Sequence, residues 1–274
     1  MVNYSMSDAE YRDICSLVYQ HTGITLTEEK RKLAYSRFSK RLKALKLKSF
    51  SDYCDLIKSN NDDELTNFTN AITTNLTSFF RESHHFDRLR DQIMPELMRK
   101  PSRKIRIWSA GCSSGEEPYS IAITILKAYP NIANWDLKIL ATDVDSGVLS
   151  KASKGIYTDR CLNELDSYIV NEWFTLGMLN GEKAYQVDPQ VRKLISFKKL
   201  NLMDKTWPMQ GPLDVIFCRN VLIYFDRKTQ SDLFTRFSTL QNVGDHLIIG
   251  HSETMKGLST KYENMGRTAY IKTD

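Results

Sequence analysis

The stretch that most constrains this chain is Ile105–Ala128, IRIWSAGCSSGEEPYSIAITILKA. Ile105 to Trp108 form an apolar, β-branched run suited to a buried strand. A small-residue turn follows, with glycines at 111 and 115, and then Glu116, Glu117 and Pro118. Proline fits the first turn of a helix, where its missing N–H would have no partner anyway. Ile121, Ala122, Ile125, Leu126 and Tyr129 then recur at helical spacing. The pattern predicts a strand, a tight turn and a helix start, the repeating unit of an α/β domain. Such a turn lets the backbone approach a ligand lying over the carboxyl end of a strand. The glycines stand as G-x-x-x-G, not as the G-x-G-x-x-G of dinucleotide sites, and two glutamates would repel a pyrophosphate. The turn suits a ligand with positive charge, such as an amino group or a sulfonium. The plainer alternative is an ordinary βα turn.

The 274 residues allow one large domain or two modest ones. The five cysteines are scattered and include no C-x-x-C pair. That argues against a disulfide framework or a zinc site and for a reducing compartment. The N-terminal residues carry no apolar signal core. No apolar run approaches the roughly 20 residues that span a bilayer. A cytoplasmic protein is expected, with no metal site.

The front of the chain, up to about residue 75, reads as helices. Ser7 with Glu10 makes a capping-box pattern, and His21-Thr22-Gly23 closes that first helix. Thr27 opens another, with Glu28 and Glu29 favourable in its first turn. From Lys30 to Lys48 there are nine basic residues and no acidic one; the net charge of the whole chain is only +5. Leu33, Phe38, Leu42 and Leu45 form an apolar stripe, and Arg37, Lys40, Arg41 and Lys43 lie mostly off it. A solvated surface is the plain reading of such a run. Its one-sidedness gives equal weight to docking on an acidic partner, either nucleic acid or an acidic helical protein. Aromatics for a single-strand nucleic-acid platform are sparse. Leu65, Phe68, Ile72 and Leu76 suggest one more amphipathic helix, and residues 83–103 a helix leading to the strand at Ile105.

Further strand ends carry polar residues. Leu137–Ala141 ends in Thr142-Asp143-Val144-Asp145. An acid in this place commonly accepts hydrogen bonds from a ribose, and Asp143 is assigned that role; Asp145 reads as a helix cap. Residues 155–198 break the βα rhythm: Tyr168–Phe174 is helix-like, and Phe174–Val187 reads as a hairpin turning at Asn180-Gly181. Ile195–Phe197 begins another strand, followed by Asn201 and Leu202. Leu213–Arg219 is a core strand ending at Asn220, in the crevice where α/β folds bind ligands. His251 reads as structural.

Taken together, NLTSFFRE (75–82), SSGEEPYS (113–120), ATDVD (141–145), FCRNVLIYF (217–225) and GHSE (250–253), in that order, strongly resemble the CheR family of chemotaxis-receptor glutamate methyltransferases. The resemblance covers essentially the whole chain. It implies a helical N-terminal domain and a Rossmann-like S-adenosylmethionine methyltransferase domain with a small antiparallel β-subdomain. The corresponding division is a docking domain over 1–80, a linker helix over 81–104 and a catalytic domain over 105–274, with the β-subdomain at about 170–197. By motif, Thr77 and Arg81 would face the cofactor and reaction site. Gly111 and Glu117 would hold the methionine part, Asp143 the ribose, and Asn201 and Leu202 the adenine. Arg219, Asn220 and Tyr224 would line the active site, with Arg81 and Tyr224 as the catalytic pair. The product would be S-adenosylhomocysteine. Arg37, Lys40, Arg41 and Lys43 would meet the acidic helical bundle of methyl-accepting chemotaxis receptors, and a receptor's C-terminal peptide would be a further partner in some members. The resemblance implies no nucleic-acid partner and membrane association only through receptors.

Overall fold

Helix starts in the front domain are written in single polar residues. In the computed structural model, which describes residues 4–59 and 61–274, Ser7 caps α1 (Asp8–Thr22) through a capping box with Glu10, and Gly23 closes it with a left-handed turn. A short 3-10 turn at Glu28–Lys30 runs into α2 (Arg31–Leu45). Ser49 with Asp52 starts α3 (Phe50–Lys58), and Asn61 caps α4 (Asp62–Ile72). These helices pack around Ile14, Val18, Ala34, Phe38, Leu42, Tyr53 and Phe68. The buried seam of α2 is therefore Ala34–Phe38–Leu42, and Leu33 is 38% exposed, off the expected stripe. The i, i+4, i+8 seam starts at an alanine, whose weak hydrophobic signal conceals it.

The expected continuation of α4 through Leu76 does not occur. Thr73 adopts an extended backbone (φ −62°, ψ 148°), and its hydroxyl donates to Asp145 at 2.8 Å. That contact pulls the chain across to the second domain and leaves Leu76 78% exposed. The linker is helical from α5 (His84–Arg88) through a π turn (Leu89–Ile93) to α6 (Met94–Leu97), shorter than the expected helix.

The second domain follows as β1 (Lys104–Ala110), α7 (Glu116–Ala128), β2 (Asp136–Asp143), α8 (Ser146–Lys154), β3 (Ile156–Thr158), α9 (Asp159–Leu162) and α10 (Ser167–Trp173). Then come β4 (Phe174–Leu179), β5 (Glu182–Val187), α11 (Pro189–Arg192), β6 (Ile195–Lys199), β7 (Val215–Cys218), α12 (Arg227–Thr239), β8 (His246–Ile249), β9 (Tyr262–Asn264) and β10 (Ala269–Lys272). Seven strands form the main sheet in the order β6-β2-β1-β7-β8-β10-β9. The five from β6 to β8 are parallel; β10 runs against them, and β9, antiparallel to β10, runs with them again. Their faces are covered by two apolar layers, one around Ile107, Ile121 and Phe217 and the other around Trp108, Phe234 and Leu247. The chain runs outward from β1 to β2 and then turns the other way at β7, so the order reverses between β1 and β7. Ligands of such sheets bind over this switch point.

The hairpin β4–β5 turns at Asn180-Gly181 as the dipeptide predicts. A third strand, β3, joins it on the β5 side, so the small sheet reaches back to Ile156. Three residues are too few to show a period of two in the sequence. The same brevity conceals β9. Among the described residues no helix is long and apolar enough to cross a membrane.

Candidate active site

Four strand ends, those of β1, β2, β6 and β7, and one crossing loop meet over the switch point. After β1 the backbone turns at Gly111 (φ 83°). A Cβ there would clash with Cγ2 of Val221, on the loop after β7, so the two loops approach as closely as glycine permits. The Gly111 and Cys112 amides donate to the Thr142 carbonyl at 2.8 and 2.9 Å, tying this turn to the end of β2. Asp143 is held there by the amides of Ser113 (2.8 Å) and Asp145 (2.9 Å). Burial pushes its carboxyl above the ordinary range, and these two amides oppose the rise. Asp145 caps α8 as the sequence predicts.

Glu117 lies in the first turn of α7. One oxygen accepts from Ser109 Oγ at 2.7 Å and the other from Arg219 at 3.0 Å. Burial raises this carboxyl too, against the pull of Arg219. Arg219 is 5% exposed; it also faces Glu82 at 3.3 Å and donates to the Arg81 carbonyl. Asn220 has a left-handed backbone (φ 58°). Its amide donates to Glu253 at 3.0 Å and its side chain to Glu82 at 3.2 Å. The amides of Gly250 (2.6 Å) and Ile223 (3.2 Å) also donate to Glu253. This buried carboxylate therefore fastens the loop that carries Asn220 and Tyr224.

The segment 75–82 is a loop that crosses between the two domains. Asn75 donates to Asp145 at 2.8 Å, and Phe79 packs edge-on between Tyr157 (4.8 Å) and Phe174 (5.4 Å). The Phe80 amide donates to Ser120 Oγ at 2.9 Å. Arg81 donates to the Leu76 carbonyl at 2.8 Å, folding the loop over the cavity. The front domain closes the other side: Asn201 donates to the His21 carbonyl at 2.6 Å, and Thr25 N–H to the Tyr224 carbonyl at 2.9 Å.

The result is one cavity of about 250 Å³. Thr77, Arg81, Gly111, Glu117, Asp143, Asn201, Leu202, Arg219, Asn220 and Tyr224 all line it. So do Thr22 and Ile24 of the front domain, which no sequence signal singled out. Glu82 and Glu253, which each end a motif, do not line the cavity; they bond from behind to Arg219 and Asn220, which do. His251, read as structural, sits on Glu82: its ring nitrogen Nδ1 is 2.7 Å away and its amide donates at 3.0 Å.

The basic helix is divided. Arg41 makes a two-point pair with Glu64 at 3.0 and 2.6 Å, and Tyr53 adds a third bond at 2.8 Å. Arg37 donates to the carbonyls of Ala71 (3.0 Å) and Thr73. Both arginines therefore fasten α4 to α2 inside the domain and are not part of an outer positive face. Lys40 and Lys43 are exposed, as expected.

Two family models match in tandem: "CheR methyltransferase, all-alpha domain" over residues 9–73 and "CheR methyltransferase, SAM binding domain" over residues 75–271. The chain belongs to the CheR methyltransferase family. It is 44% identical to a probable chemotaxis protein methyltransferase of Rhizobium etli, over 94% of this chain and 97% of the relative. It is 41% identical to the chemotaxis protein methyltransferase of Salmonella typhimurium and 40% to that of Escherichia coli, each over 97% of this chain and 91% of the relative. As a CheR methyltransferase it uses S-adenosylmethionine as cofactor. The cavity fits that molecule. Two buried carboxylates, Glu117 and Asp143, suit an ammonium and a ribose diol, while Ile24, Val144 and Leu202 offer apolar surface to a base.

Proposed function

We propose that the protein transfers the methyl group of S-adenosylmethionine to glutamate side chains of chemotaxis receptors, as a protein-glutamate O-methyltransferase of the cytoplasm. The observation that carries this reading is the joint lining of one cavity by two kinds of group. Glu117 and Asp143 suit the cofactor, and the guanidinium of Arg81 with the phenol of Tyr224 suits an anionic acceptor. Gly111 and Glu117 hold the methionine part, Asp143 the ribose, and Asn201 and Leu202 the adenine; Thr77, Arg219 and Asn220 complete the enclosure.

Bound S-adenosylmethionine supplies a methyl group already activated on a sulfonium. A glutamate acceptor is ionised near neutral pH, so no strong base is needed. The task of the protein is to align the carboxylate and exclude water. Arg81 orients the acceptor and Tyr224 donates a hydrogen bond to it. Both roles are geometric, because strong stabilisation of the carboxylate would slow its attack. Each methylation removes one negative charge from the receptor bundle and eases its internal repulsion.

Docking of an acidic helical bundle falls to the exposed lysines of α2, with residues 1–80 as the docking domain, 81–104 as the linker and 105–274 as the catalytic part. The outer edge of β4, with Leu176 56% and Met178 70% exposed, is open to a receptor tail peptide added as a further strand. The deciding experiment is transfer of labelled methyl to receptor-containing membranes. Label that leaves as methanol in base supports the ester; label that resists base, or that appears in nucleic acid, refutes it.

A further inference from the structure

Among the described residues Arg219 is the one charged neighbour that Glu117 bonds to, and it is shared. Its guanidinium faces Glu117 at 3.0 Å on the cavity side and Glu82 at 3.3 Å beneath. Side-chain exposures of 2% for Arg219, 11% for Glu117 and 10% for Glu82 put all three in a poorly solvated place. One cation between two carboxylates leaves one negative charge over. Two imidazoles also touch Glu82: His251 faces it at 2.7 Å from the solvent side, 65% exposed, whereas His85 is buried, and burial, with the Arg219 charge second, pushes its ring down to about 3. Without Glu82, Arg219 and Glu117 would form a closed neutral pair, and an arriving ammonium would meet a carboxylate already matched.

The backbone is bent to put Glu82 there. Phe80 (φ 52°) and Glu82 (φ 58°) both adopt the left-handed region, a conformation that non-glycine residues disfavour. The carboxylate that this bend turns inward also receives the Asn220 side chain at 3.2 Å and both the amide and the ring of His251. Glu82, His84 and His85 also bring ligand atoms within 4.8 Å of one another, but the guanidinium beside Glu82 opposes a metal cation there.

We propose that Glu82 is a positioning residue for the cofactor: by matching Arg219 from below and holding Asn220, it leaves the charge of Glu117 to the cofactor's ammonium group. This rests on the placement of that ammonium at Glu117 proposed above. The test is calorimetry with two probes, S-adenosylhomocysteine and its deaminated analogue, in which hydrogen replaces the amino group. Glu82→Gln lowers the preference for the amino form about tenfold, the size of one charge-assisted contact, and leaves the deaminated analogue bound as before. Glu82→Asp, which keeps the charge, restores most of the preference. Equal weakening of both probes, as a damaged cavity would give, or no change in either, overturns the proposal. Glu117→Gln separates the two ideas. Preference lost in Glu117→Gln but kept in Glu82→Gln overturns the Glu82 role alone. Preference kept in Glu117→Gln overturns the ammonium placement and the Glu82 role with it.

Discussion

Replacing Arg41 by methionine tests whether the basic helix spends this charge inside its own domain. Glu64 is 4% exposed, and its carboxylate receives two bonds from Arg41 and one from Tyr53. Removing the guanidinium strands a buried carboxylate, which in a sealed interior costs roughly 3–5 kcal/mol. The Arg41 side chain is 25% exposed, so water reaches one side of the pair and about 2–3 kcal/mol is the better figure. With a urea dependence of about 2 kcal/mol per molar, the midpoint should fall by about 1–1.5 M. The four tryptophans, at 108, 135, 173 and 207, all lie in the α/β domain. The loss should therefore appear in far-ultraviolet circular dichroism of the helices ahead of any change in tryptophan emission. Adding Glu64→Leu to Arg41→Met removes the stranded charge and should recover more than half of the loss. A shift below about 0.3 M for the single variant would refute the internal pairing and return Arg41 to the outer, docking face.

Other outcomes follow from the same geometry. Asp143→Ala should weaken S-adenosylhomocysteine about tenfold by calorimetry, the worth of one buried charged contact; an unchanged Kd removes the ribose assignment. Arg81→Ala should cut methyl transfer about 100-fold through misalignment while cofactor affinity stays within about threefold; near-normal turnover would sink that role. Charge reversal at Lys40 and Lys43 should slow receptor methylation and flatten its decline with salt, leaving cofactor affinity alone, because exposed attraction is screened. Burial would raise the Glu82 carboxyl, but the His251 hydrogen bond, the Arg219 charge and Asn220 overrule it and hold it down at about 2, against an ordinary 4.5. A folded value below the unfolded one stabilises above the unfolded value and is lost as pH falls through the window from about 4.5 to 2. Glu82→Gln should flatten acid unfolding across that window; an identical acid profile would contradict it.

The sequence by itself determined the parts whose causes are local. Ser7, Ser49 and Asp145 each cap the helix that follows because a short polar side chain reaches amides two or three residues on. The strand ends were legible because buried parallel strands are apolar runs, and the residues just after them share one edge of the sheet. That is why Gly111, Asp143, Asn201 and Asn220 could be named as neighbours before any fold was known. Only the tertiary structure decided where charges go. Arg41 finds Glu64 23 residues along the chain, and Asn220 finds Glu82 138 residues away. A charge run carries no record of such partners, so Arg37 and Arg41 read as surface, Leu76 as helix and Glu82 as an unremarked motif end. A pairing energy depends on distance and burial in space, and both are set only when the crossing loop 75–82 closes over the sheet.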